Sequence, residues 1–196
     1  MTRTRRSILA ALLAVPLLLA GCSGTSAVDA GGGGTDYEFG RLPVGPDGLF
    51  PVADRRPAPV LQGETLQGGL LDIGAMRGQV VVLNFWADWC GPCRGEAPFL
   101  NAVATSTKDR GVSFVGINVK DDRNAALAFE RVRGVTYPSI YDQPGVLLTR
   151  FRKVVPQTPP STLLLDRQGR VAGIFNGPVV ESELSGPVLA LAAERA

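Results

Sequence analysis

The run Val80-Val81-Val82-Leu83-Asn84-Phe85-Trp86 is followed, after Ala87-Asp88, by Trp89-Cys90-Gly91-Pro92-Cys93. A continuous apolar run of this kind predicts a strand buried on both faces of a sheet. The strand delivers two cysteines, spaced by two residues, to what reads as the start of a helix. Pro92 fits a first helical turn, where its missing N–H is no loss. Two thiols so placed can close a disulfide within a single turn. The field of the helix N-terminus lowers the pKa of the first thiol, so a reactive thiolate exists near neutral pH. This is the arrangement of a thiol–disulfide exchange site. The alternatives are a structural disulfide or half of a zinc site. Zinc takes four ligands, usually Cys and His. With no histidine and one further cysteine in the chain, a single copy cannot supply them, and neither metal nor cofactor is expected.

Around this motif the chain reads as one α/β domain over residues 58–194, about 140 residues and large enough for a core without structural disulfides. A short strand or hairpin is predicted over 66–73, around Gly68-Gly69, and the buried strand over 80–86. A helix is predicted over 92–108, with Pro98 bending it or ending its first segment. A strand follows over 112–119, and a helix over 123–133 with Ala126, Phe129, Glu130 and Arg133 at helical spacing. A short strand near 139–141 precedes a short helix around 146–151. Strands over 161–165 and 171–175 flank Asp166-Arg167-Gln168-Gly169, a hairpin signal. The last helix runs over 181–193. Strand–helix–strand followed by hairpin and helix suggests a central mixed β-sheet flanked by helices on both faces.

The N-terminal part has a different character. Arg3, Arg5 and Arg6 precede an apolar run from Ile8 to Ala20, the length of a signal peptide and too short for a comfortable membrane span of ~20 residues. Residues 22–57 read as a tether, with Gly31-Gly32-Gly33-Gly34 and scattered prolines and glycines. Leu49-Phe50-Pro51-Val52 is the one stretch there that could dock as an extended arm, and it is assigned to the tether. A flexible tether of ~35 residues reaches about 30 Å. Loss of residues 1–21 removes three arginines and no acids, taking the formal charge from +2 to −1. So balanced a chain has no electrostatic case for nucleic acid binding.

The sequence Leu19-Ala20-Gly21-Cys22 resembles the lipobox of bacterial lipoproteins, in which cleavage falls before the cysteine and its sulfur carries diacylglycerol. Under that resemblance residues 1–21 are a lipoprotein signal peptide, Cys22 is the lipidation site, and Cys90 and Cys93 are the redox disulfide. A plain secretory signal is the alternative. Thr4-Arg5-Arg6-Ser7-Ile8-Leu9 also resembles a twin-arginine export signal, and the sequence leaves the export route open.

The domain itself resembles the thioredoxin fold and, within it, the extracytoplasmic TlpA/ResA-like thiol–disulfide oxidoreductases. The resemblance rests on residues 84–93, on Glu96-Ala97-Pro98, on Tyr137-Pro138 and on the stretch from Pro160 to Asp166. It implies that Cys90 attacks a substrate disulfide and that Cys93, more buried, resolves the mixed disulfide. It implies that Trp89 shields one side of the sulfur, with simple packing as the alternative, and that Pro160 is the family's cis-proline beside the disulfide. Cytoplasmic thioredoxins carry an aspartate where this chain has Asn84, which cannot ionise. Glu96, about one turn after Cys93, is then the candidate proton-handling group, a surface helix glutamate being the alternative. Pro159 stands where the fold usually offers an N–H to an extended substrate, and proline has none. Which of the Thr158–Pro159 and Pro159–Pro160 bonds is cis is left open by the sequence.

The resemblance further implies a lipid-anchored protein on the outer face of the cell membrane that reduces exported protein disulfides. Apocytochrome c is the leading client, and a membrane electron carrier restores the dithiol. An oxidase that forms disulfides and a non-catalytic scaffold are the alternative readings.

Overall fold

The computed structural model describes residues 45–151 and 158–195; residues 1–44, and with them the signal segment, Cys22 and most of the tether, lie outside the described residues, as do 152–157 and 196. In chain order the elements are β1 (Arg56–Pro57), β2 (Gln62–Glu64), β3 (Leu70–Asp72), β4 (Val80–Trp86), α1 (Gly91–Thr107), β5 (Val112–Val119), α2 (Arg123–Arg133), β6 (Ser139–Asp142), α3 (Val146–Thr149), β7 (Ser161–Leu165), β8 (Arg170–Asn176) and α4 (Glu181–Ala193). Six strands make one mixed sheet in the order β1-β8-β7-β4-β5-β6, while β2 and β3 pair separately as a hairpin. β4, β5 and β6 are parallel; β7, β8 and β1 run antiparallel to their neighbours.

Every residue of β4 is buried, because layers cover both faces of the sheet. Val80 and Val82 pack with Leu100 and Val103 of α1 and with Leu184 and Val188 of α4. Val81, Leu83 and Phe85 face the other way, onto Leu147 and Leu148 of α3 and onto Phe151. Each such side chain contributes roughly 1.5–3 kcal/mol by leaving water. The helix ends follow local chemistry. The Asp122 side chain accepts from the backbone N–H groups of Asn124 and Ala125 at the start of α2, and Gly134, at φ 65°, closes its end in the left-handed region.

Two expectations are corrected. Pro98 neither ends α1 nor divides it; the helix runs unbroken through residue 107. Arg94, whose carbonyl loses its amide partner to the proline, lies on the exposed side with Pro98, so the missing bond falls on the solvent side of the helix. The residues just before 58 are not tether. Leu49 and Phe50 are 2 % and 4 % exposed, and the Phe50 N–H donates to the Ala172 carbonyl at 2.7 Å. Arg55 is buried as well. Its guanidinium donates to both carboxylate oxygens of Glu194 at 2.6 and 2.7 Å, and it lies 3.5 Å from Asp166. Two apolar side chains and a buried ion pair outweigh the entropy of ordering this short arm.

Across the face under α1 runs a polar row. Thr162 pairs with Asn84, Asn84 with Gly116, and Gly116 with Ser139, so four strands present these residues to one side.

Candidate active site

β4 ends at Trp86, and the short connection that follows carries Cys90 to the N-cap of α1. Cys90 and Cys93 form a disulfide, with Cα atoms 5.3 Å apart. The Cys90 sulfur accepts from the Cys93 backbone N–H at 3.2 Å, one of the amides a helix start leaves without an internal partner. Sequence reasoning expects Cys90 exposed and Cys93 more buried. The order holds, but both are covered in the disulfide form, at 4 % and 1 % exposure. In the disulfide the Cys90 sulfur lies against the helix end, where the Cys93 N–H reaches it.

Trp89 is half exposed, and its indole N–H donates to the Lys120 carbonyl at 3.0 Å. Lys120 holds φ at 52°, a left-handed conformation rare outside glycine, in the turn between β5 and α2. That turn grips the active-site connection a second time. The Asp121 carboxylate accepts from the Asp88 N–H at 2.7 Å and from the Asn118 side chain at 2.7 Å. Hydrogen bonding to Asp121 pushes the Asp88 carboxyl above its ordinary range, with burial adding to it. Lys120 and Asp121 were not singled out from the sequence. Their role depends on β4 and β5 lying side by side, which no local motif announces.

Glu96 is 1 % exposed, which removes the surface reading. It shares the inner face of α1 with Cys93, one turn before it. Its Oε1 accepts from the Asn84 side-chain amide at 2.8 Å and its Oε2 from the Val179 N–H at 3.1 Å. Asn84 also donates to the Thr162 hydroxyl at 3.1 Å. Only neutral donors face this carboxyl. Burial pushes it up to about 7, and the bonds to Asn84 and Val179 pull against that rise. Behind Cys93 lies a cavity the size of one water molecule, lined in part by Asn84, Trp86, Phe129 and Tyr137.

The Pro159–Pro160 bond is the cis one. Pro160 is buried and Pro159 half-buried at the head of β7, beside the end of β4. The Pro160 carbonyl accepts from the Gly177 N–H at 3.1 Å, tying this loop to the one that carries Val179. Glu96 therefore sits beneath one of two linked loops while its helix holds the disulfide. The structure thus gathers Cys90, Cys93, Trp89, Glu96, Pro159 and Pro160 at one end of the sheet. Val179 was missed by sequence reasoning, since a backbone N–H leaves no mark in composition. Among the described residues no group of three or more Cys, Asp or Glu side chains could hold a metal ion, and no helix is long and apolar enough to cross a membrane.

Comparison with known proteins agrees with this geometry. Residues 51–187 match the Redoxin family. The thiol–disulfide oxidoreductase ResA of Bacillus subtilis is 30% identical over 131 residues, 67% of this chain and 72% of that protein. A secreted thiol–disulfide isomerase from Corynebacterium glutamicum superposes with a TM-score of 0.71 at 32% identity, covering 78% of this chain and 98% of that one. A secreted Mycobacterium tuberculosis disulfide oxidoreductase, homologous to Escherichia coli DsbE, superposes with a TM-score of 0.60 at 32% identity, covering 67% and 96%. With its cysteine pair at the head of α1, a thioredoxin-like sheet beneath it and these relatives around it, the chain belongs to the redoxin family and is a thiol–disulfide oxidoreductase.

Proposed function

We propose that this oxidoreductase works outside the cytoplasm, tethered to the membrane through a lipid on Cys22, and reduces disulfides of exported proteins. Apocytochrome c before haem attachment is the leading client. The observation that carries the reading is the buried Glu96 one turn after Cys93, facing only neutral donors beside the Pro160 and Val179 loops. In this reading the Cys90 thiolate attacks a substrate disulfide, forming a mixed disulfide and releasing one substrate thiolate. Cys93 gives its proton to Glu96 and attacks the Cys90 sulfur, releasing the second substrate thiolate and closing the Cys90–Cys93 disulfide. Two electrons pass to the substrate, and a membrane electron carrier returns two to the enzyme. A carboxyl near 7 can both take and return that proton at neutral pH. Trp89, Pro159 and Pro160 border the approach to the sulfurs. With no N–H on Pro159, an extended substrate has one backbone anchor fewer on this loop.

Export is supported by the arginines and apolar run at the N-terminus and by the two secreted structural relatives. Disulfide formation is the second reading, favoured by the likeness to the secreted isomerase. The midpoint potential of the Cys90–Cys93 pair separates the two. A value near that of reducing thioredoxins supports reductase work, and one near that of strong oxidants overturns it. Insulin reduction with dithiothreitol tests turnover itself, and Cys93→Ser should trap mixed disulfides with clients where Cys90→Ser traps few. Palmitate labelling lost in Cys22→Ala supports the anchor; label retained in that variant removes it.

A further inference from the structure

The polar row under α1 has two ends, and the chemistry described so far uses only one. Glu96 lies over the Asn84 end. Over the Ser139 end lies a second buried glutamate, Glu130 of α2, at 6 % exposure. Its Oε2 accepts from the Gln67 side chain at 2.6 Å, while its Oε1 is buried without a hydrogen-bond partner. A carboxyl oxygen left so is costly, and disulfide exchange as described gives it no task.

Trp86 joins this acid to the sulfurs. Its indole N–H donates to the Ser139 hydroxyl at 3.2 Å, and its ring stacks on Phe129 with centroids 4.5 Å apart. The same indole lines the cavity behind Cys93, together with Phe129, Asn84 and Tyr137. The Ser139 hydroxyl, already accepting from Trp86, faces the Glu130 carboxyl and steadies its charge without closing a full bond to Oε1. The crossing is possible because β5 has Gly116 beneath it. A Cβ there would lie 2.7 Å from the Trp86 indole nitrogen and closer still to the Ser139 hydroxyl. Glycine inside a central strand weakens it, so a gap kept open at this point marks a site where close approach matters.

The groups facing Glu130 are Gln67 from the β2–β3 turn, Ser139 from β6 and Tyr137 from the segment before β6, with Glu96 beyond it. No cation pairs with Glu130 among the described residues. Arg123 of the same helix donates instead to the Thr65 and Leu66 carbonyls and pairs with Glu64. Burial pushes the Glu130 carboxyl up. Tyr137 is pushed up too, by burial first and then by the charges of both glutamates, so it lies within electrostatic reach of each.

We propose that Glu130 is a positioning residue for disulfide exchange: it is buried on the side of the Ser139-bonded Trp86 that walls the cavity behind Cys93, and its charge, with no cation beside it, opposes a thiolate at Cys93 from the side away from Glu96. This rests on Cys93 being half of the redox pair and is independent of the direction of electron flow.

The test is a thiol titration in full-length protein carrying Cys22→Ser and Cys90→Ser, where Cys93 is the sole thiol. Glu130→Gln removes the charge and keeps the shape. It should lower the Cys93 pKa by about half a unit, the size of effect one partly screened charge exerts. Glu96→Gln, titrated in parallel, should lower it independently. Ser139→Ala in a Trp89→Phe background should shift the emission of Trp86, then the sole tryptophan. If the Glu130→Gln curve superimposes on its parent while Glu96→Gln still moves, this inference falls and the role of Glu96 stands. If both superimpose, both fall. Should Glu130→Gln not fold, Gln67→Leu takes away the acid's donor and raises its carboxyl. The Cys93 pKa should then drop in the neutral range, and an unchanged titration overturns the proposal.

Discussion

Two regions of this molecule bury carboxylates, and they treat them in opposite ways. At the end of the sheet away from the disulfide, Asp166 and Glu194 meet Arg55, and Asp166 also accepts from Arg170 at 2.8 Å. At the disulfide end, Glu96 meets an amide side chain and a backbone N–H and no cation. The first arrangement neutralises charge in place and holds the arm and the last helix to the sheet. The second leaves the acid's ionisation balanced near neutral pH, because its burial is opposed only by neutral donors. At Arg55 the opposite charge makes the carboxylates structural, and at Glu96 its absence leaves a carboxyl able to exchange a proton.

The largest effect expected from breaking this contrast is at Arg55. Arg55→Met leaves Asp166 and Glu194 without their shared cation and should destabilise the fold by about 3 kcal/mol. The low end of the range for buried pairs applies, since the Glu194 side chain keeps 34% exposure. Urea unfolding measures it, and the thiol titration should not move. A thiol pKa that changes with Arg55 would show the two regions to be coupled.

Next comes the pH dependence of stability. The folded-state pKa of Glu96 is raised from 4.5 to about 7, so the folded protein binds more protons than the unfolded chain between those values. The associated stability is complete below about pH 4.5 and is lost as pH rises through 7, a change on the order of 3 kcal/mol. Unfolding curves for the oxidised protein across this window should lose most of their slope in Glu96→Gln. Parallel curves for variant and parent would remove Glu96 as the titrating group.

A smaller effect is expected on the thiols themselves. Glu96→Gln removes a negative charge near the pair and should lower the apparent pKa of Cys90, or of the coupled pair, by about one unit. Ultraviolet thiolate absorbance follows it, and superimposed curves would return the proton of Cys93 to water. Smallest is Asp121→Asn. The variant keeps an oxygen for the Asp88 N–H while removing the acid that raises the Asp88 carboxyl. Stability should change by less than about 1 kcal/mol, and the Asp88 carboxyl should return toward its ordinary range by carbon NMR. An Asp88 carboxyl that stays raised would assign the shift to burial alone.

The disulfide end was the more legible of the two regions. The β4 run, the cysteine pair and the start of α2 each carry a local signal that tertiary packing only reinforces, whereas at the other end only the Asp166–Gly169 turn does so. Glu96 could be named from its spacing to Cys93, and Asn84 from its place in the apolar run. The other region could not be read so. Leu49 and Phe50 sit among prolines and glycines with no periodicity, and their partner Ala172 is more than a hundred residues on. Glu130 shows the same limit within the site. Its helical spacing with Ala126 and Phe129 is plain in the sequence, but the burial of a glutamate on that face depends on Gln67 and Ser139 arriving from other elements.

The path of residues 49–72 has a consequence for the two margins of the sheet. An open sheet offers unpaired amides and carbonyls at each margin, a template for strands of other chains. Here one stretch of chain closes both margins in turn: β1 lies along β8, and the β2–β3 turn then bridges Thr65 to Ile140 at the far margin, on β6. A sheet margin closed in this way offers fewer unpaired groups to a protein whose disulfide is being exchanged beside it. A version trimmed to Ala58 would keep every residue of the candidate site and yet leave the β8 margin open where Arg56 and Pro57 now pair with Val171 and Arg170.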